Sequence, residues 1–138
     1  MTRRLTAVLL LLVCTGCSRK KTLTSDDLKS QLTKAISFAS EVEMFVDYLH
    51  ANRATSNFAE QHAAYLDAEI ERSADELANA VPPPGTQSAL QRCRMQLNQL
   101  REELWKVRIH WDDNNALSTA KAHVEEIRRD LEQAKSAL

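Results

Sequence analysis

The chain has 138 residues, enough for one domain behind a leader, with 43% apolar and only 5% aromatic side chains. Its 18 basic and 19 acidic residues leave a formal net charge of −1, which argues against a nucleic-acid partner, since such proteins present a basic face. Glycine occurs only at Gly16 and Gly85 and proline only at Pro82, Pro83 and Pro84, so many tight β-turns are excluded and an all-α fold is favoured before any periodicity is counted.

Arg3 and Arg4 stand near the start of the chain, followed by the apolar run Leu5–Val13 and by Cys14-Thr15-Gly16-Cys17. A basic start, a short apolar core and small residues before a cysteine form the pattern of a secretory signal peptide. The run is too short to span hydrocarbon, which needs about 20 residues. Thr15-Gly16-Cys17 resembles the lipobox of bacterial lipoproteins and departs from it at Cys14, where leucine is commonest. The resemblance covers residues 1–17 alone. It implies that residues 1–16 are removed, that Cys17 is lipidated, and that the protein sits in the bacterial cell envelope, anchored on the periplasmic face. Ser18 follows Cys17, where an aspartate would resemble an inner-membrane retention signal, so the outer membrane is favoured. A plain secreted signal with a chance cysteine is the competing reading.

Loss of Arg3 and Arg4 leaves 16 of the 18 basic residues against 19 acidic ones. Cys93 then has no partner within the chain, because Cys14 leaves and Cys17 carries lipid. Residues 17–23 form the lipidated cysteine and a basic tether, and the six residues Ser18–Leu23 reach at most about 20 Å. Arg19, Lys20 and Lys21 either attract anionic head groups or are simply solvated.

Residues 24–138 read as four amphipathic helices, at about 25–53, 57–81, 86–112 and 116–138. Thr24 caps the first, with Asp26 and Asp27 in its first turn. Leu28, Leu32, Ala35, Ala39, Val42, Val46 and Leu49 line one face at alternating spacings of four and three, and Phe38, Phe45 and Tyr48 widen it as core. Asn57 with Glu60 resembles a capping box and opens the second helix. Its seam is Ala59, Ala63, Leu66, Ile70, Ser73, Leu77 and Ala80, and the prolines end it. Thr86 caps the third, whose seam is Leu90, Cys93, Leu97, Leu100, Leu104, Val107 and Trp111. Cys93 on that seam reads as a small buried apolar residue, whereas Lys106 and Glu125 fall on solvated faces. Asp112-Asp113-Asn114-Asn115 breaks the helix, and Leu117, Ala120, Val124, Ile127, Leu131, Ala134 and Leu138 keep a heptad to the end.

Short turns make the helices antiparallel neighbours, so an up-down-up-down four-helix bundle is the natural closure. Its two hairpins differ in charge. Residues 22–81 hold 4 basic and 11 acidic side chains, residues 82–138 hold 9 and 8. That asymmetry would steer a basic partner to the first hairpin, unless it is only a solvated acidic surface.

No phosphate-cradling glycine loop, Gly-x-Ser-x-Gly or Cys-x-x-Cys-His occurs. A di-iron bundle needs Glu-x-x-His on two helices, and Asp47-x-x-His50 is the nearest match, so catalysis is not expected. Two constellations remain. Arg101, Trp105 and Arg108 share a strip beside the third seam, where guanidinium and indole could stack and contact a partner. The alternative packs Trp105 against a neighbouring helix with the arginines extended. His50, His62, His110 and His123 all fall near one end of the bundle, roughly 6 to 12 Å deep at 1.5 Å per residue. With Asp47 they could build a transition-metal or haem site. The leading expectation is a cofactor-free, lipid-anchored helical bundle that binds a protein of the envelope as an adaptor or accessory subunit.

Overall fold

Four helices carry residues 20–51 and 53–138, the part of the chain that the computed structural model describes: α1 (Ser25–His50), α2 (Ser56–Ala78), α3 (Gln87–Ile109) and α4 (Asn114–Ser136). The expected signal peptide, with Cys17, Ser18 and Arg19, lies outside the described residues. Chain neighbours pack as neighbours, and α4 closes against α1, so the domain is an up-down-up-down four-helix bundle. Its cross-section is skewed. α1 also reaches α3 through the centre, α2 and α4 do not meet, and the α1–α2 seam is the thinnest of the four.

Every seam named above is the buried face of its helix, with only Trp111 and Leu138 partly exposed where the bundle ends. Phe38 and Phe45 join the core, but Tyr48 does not. It stays 41% exposed at the end of α1 and its hydroxyl donates to the carbonyl of Arg53 at 3.2 Å. α3 buries more than its heptad, taking in Ala89, Gln96 and Glu103. A helix that touches three others must bury a wider arc than a seven-residue repeat provides.

The helix ends differ from expectation for local reasons. Thr24 and Asp27 form a reciprocal capping box, with 2.9 and 3.0 Å bonds, and the Thr24 N–H and then its hydroxyl hold the Asp27 carboxyl below its ordinary pKa. Thr55, not Asn57, caps α2 by accepting from the Phe58 N–H, while Asn57 accepts from the Gln61 amide at 3.0 Å. The Thr86 hydroxyl donates to the Pro83 carbonyl at 2.9 Å and makes no cap, so α3 starts without one. Asp113 accepts from Asn115 and Ala116, which starts α4 two residues earlier than 116. α1 and α3 each end three residues short of the expected 53 and 112, α1 with the Ala51 N–H bonded back to Asp47 and Leu49.

α2 stops at Ala78 because a residue before proline is pushed to extended geometry. Val81, before Pro82, pairs in that geometry with Thr22 as a parallel bridge. The Leu23 N–H donates to Val81 and the Val81 N–H to Lys21, both at 2.9 Å, and Leu23 is buried. Residues 21–23 are therefore fixed to the α2–α3 loop. Gly85 turns that loop at φ 82°, a conformation that side chains other than glycine rarely adopt. Arg94 closes the same corner, with its Nε donating to the Leu77 carbonyl at 2.8 Å and its Nη2 to that of Ala80 at 3.0 Å. A guanidinium there satisfies orphan carbonyls at the negative end of α2.

Pairing between hairpins accounts for most of the charge asymmetry. Arg101 and Arg108 on α3 bind Asp67, Glu71 and Glu60 on α2, while Lys121 and Arg128 on α4 bind Asp47 and Glu43 on α1. The acidity of the first hairpin is thus largely answered inside the molecule. Among the described residues no helix is long and apolar enough to cross a membrane.

Cys93 is fully buried, and burial pushes its thiol up to about 12, against a smaller opposing effect of Arg94. The thiolate is the reactive form, so thiol reagents are expected to label Cys93 only after denaturation. A disulfide-linked dimer on a non-reducing gel that disappears in Cys93→Ser would refute this.

Candidate binding groove between α2 and α3

α2 carries small residues where it faces the second half of α3, and Ala63 and Ala64 leave a notch there. Trp105 stands above it. It lies about 100° around the helix from Leu104, outside the seam, and remains 63% exposed. Ala63, Ala64, Leu104 and Trp105 form the apolar part of a surface groove of about 620 Å³.

The two arginines flanking Trp105 hold the groove's ends. Arg101 Nε lies 2.8 Å from Asp67 Oδ1, and its Nη2 lies 3.0 Å from Glu71 Oε1. Arg108 Nη2 lies 2.8 Å from Glu60 Oε1. The hydrogen bond to Asp67 raises the Arg101 pKa further, so its charge is permanent. These bonds draw both guanidiniums across to α2 and away from the indole. Among the described residues the cation over an aromatic ring is Lys34, 5.7 Å from the centre of Phe38. Neither expectation for Trp105 therefore holds in full. The arginines do extend, as packing required, but the indole is neither stacked by them nor buried. What results is an apolar, aromatic-walled notch between two ionic braces that fix α2 against α3.

The histidines do not converge. Equal depth along the bundle places them at one end, but each side chain turns into a different groove or into solvent. His62 stacks on Phe58 with ring centres 5.4 Å apart and planes within 8°, beside Phe45 at 4.8 Å and Tyr65 at 6.2 Å. His123 Nδ1 lies 3.2 Å from Glu103 Oε1 in the α3–α4 groove. His50 and His110 are exposed at the ends of α1 and α3. Asp47 is bound by Lys121 Nζ at 2.6 Å, on the α1–α4 side. Among the described residues no three His, Cys, Asp or Glu side chains come together as a metal site would require. The sequence did hold the signal for the aromatic cluster, since Phe58, His62 and Tyr65 recur at spacings of four and three on one strip of α2.

Comparison of the chain with family models, with curated proteins and with solved structures gives no match in any of the three.

Proposed function

We propose that this protein is a lipid-anchored binding module of the bacterial cell envelope, tethered through Cys17, that holds a protein partner in the groove between α2 and α3. Its anchor places it on the periplasmic face, at the outer membrane, as an adaptor or accessory subunit rather than an enzyme. The observation that carries this reading is Trp105. A large aromatic side chain left 63% exposed, over alanines and between two ion pairs, is costly to leave in water. Exposed tryptophan beside arginine is the composition of interface hot spots. Partly exposed Arg101 and Arg108 contribute little to stability through their ion pairs alone. Their geometric effect is to pre-set the groove, which lowers the ordering cost of binding.

Co-purification from detergent-solubilised membranes tests it. Trp105→Ala is expected to lose most of the bound partner while the melting temperature hardly moves, since a largely exposed side chain contributes within about 1 kcal/mol. Equal recovery of the partner by Trp105→Ala and the wild type would remove the groove from the interface.

A further inference from the structure

A second slot lies on the other side of α3, against α4, with a volume of about 370 Å³. Its charge is one-sided. Glu102, Glu103, Glu126 and Asp130 all line it. Five of the nine Lys and Arg side chains of α3 and α4 are turned elsewhere. Arg101 and Arg108 reach to α2, Lys121 and Arg128 reach to α1, and Arg94 reaches to the end of α2. Two basic groups serve the slot, both at Glu103: Lys106 Nζ lies 2.7 Å from its Oε1 and His123 Nδ1 lies 3.2 Å from the same oxygen. Among the described residues Glu102, Glu126 and Asp130 have no ion-pair partner.

Gln96 is the independent observation. It lines the slot yet is 2% exposed, and its Nε2 donates to Asp130 Oδ2 at 2.9 Å. That bond fixes which way the amide faces, because reversing it would set an amide oxygen against a carboxylate. The Oε1 is left buried without any hydrogen-bond partner. Buried carbonyls are nearly always paired, so this oxygen calls for a donor, and its residue lines the slot. The donor must also suit three unpaired carboxylates, which requires a cation rich in N–H groups.

We propose that this slot binds a primary alkylammonium group, the chemistry shared by a lysine side chain of a partner protein and a free polyamine. A compact metal ion fits poorly, since the acidic groups are spread along the groove and no three of them converge. An ammonium has three donors and a methylene stem. The stem lies along Met95, 48% exposed, and Ile127. The head reaches Gln96 Oε1, Asp130 and Glu126. Lys106 on Glu103 shows the same pairing already made at one end. This site lies on the other side of α3 from the Trp105 groove, shares only Glu102 with it, and stands or falls independently of it.

The test is a titration of the full-length, isotope-labelled protein followed by nuclear magnetic resonance, reading the side-chain amide of Gln96 and the backbone amides from Met95 to Glu103 and from His123 to Asp130. Probes are Nα-acetyl-lysine methylamide, spermidine, and the uncharged Nα-acetyl-norleucine methylamide at matched ionic strength. Saturable shifts are expected with the two amines and none with norleucine. Tighter binding of the lysine compound than of spermidine assigns the slot to a protein lysine, and the reverse order to a free polyamine. Asp130→Asn and Gln96→Leu should each weaken amine binding about tenfold or more, as loss of one charge-assisted bond predicts. Gln96→Leu removes the orphan oxygen, so a merely structural role predicts unchanged binding and an unchanged or higher melting temperature. Unchanged amine binding in both variants would overturn the proposal. So would the absence of saturable shifts with either amine, or saturation by calcium ion alone.

Discussion

Leu100→Asp is expected to unfold the domain. Leu100 is wholly inaccessible on the α3 seam, in one of the two helices that meet all three others. Losing the leucine forfeits about 1.5–3 kcal/mol of burial. An uncompensated buried carboxylate adds about 3–5 kcal/mol. Together these rival the whole net stability of a domain this size, about 5–15 kcal/mol. Val124→Asp on α4, also wholly buried, should behave alike. Gln91→Asp on an exposed face of α3 is the control, expected to melt within a few degrees of the wild type by circular dichroism. If all three melt together, the seams do not hold the fold.

Cys17→Ala is expected to move the protein from the membrane fraction to the soluble one and to abolish labelling by a fatty-acid analogue. Cys14→Ala should change neither. The effect is large because the described helices offer no membrane-crossing segment to substitute for lipid. A single acyl chain binds only marginally, and stable anchoring needs a second signal such as further acylation or a basic patch. Arg19, Lys20 and Lys21 would help a partly acylated chain but could not hold an unacylated one. Normal labelling of the Cys17 variant would show that the resemblance to a lipobox misleads.

The seams were legible because burial in a bundle follows the period of the helix. A residue such as Leu97 or Ile70 needs no tertiary information to be placed. Gln96 and Glu103 were not legible. They occupy positions that become buried only because α3 lies at the short diagonal of a skewed section, and skew is a property of all four helices together. Lys106 is exposed, as its position implies, but its partner was missed for the same reason. It reads as a solvated position, yet it is the counter-ion of Glu103, 7% exposed, so Lys106→Asp would set two carboxylates together rather than act as a neutral change.

The histidines failed differently. Depth along an axis can be counted from a turn, but convergence also needs the angle around each helix, and residues flanking a seam point into separate grooves. At Trp105 the strip of Arg101, Trp105 and Arg108 was correct as a strip. Its partners were not foreseeable from α3 alone, because Asp67, Glu71 and Glu60 lie on α2 and outcompete an indole for a guanidinium.

The bridge between Thr22 and Val81 would set the posture of a lipid-anchored molecule. It fixes the chain's entry at the end of the bundle that also holds the α2–α3 loop and the end of α4. Were Cys17 lipidated as proposed, three residues would separate it from Lys21, a leash of at most about 14 Å. The bundle would then stand on that end like a short post. Trp105 is 18 residues along α3 from its first residue, Gln87, and so rides about 27 Å above the footing. A partner would have to present its contact at that height, which makes stature above the membrane a criterion of selection alongside surface chemistry.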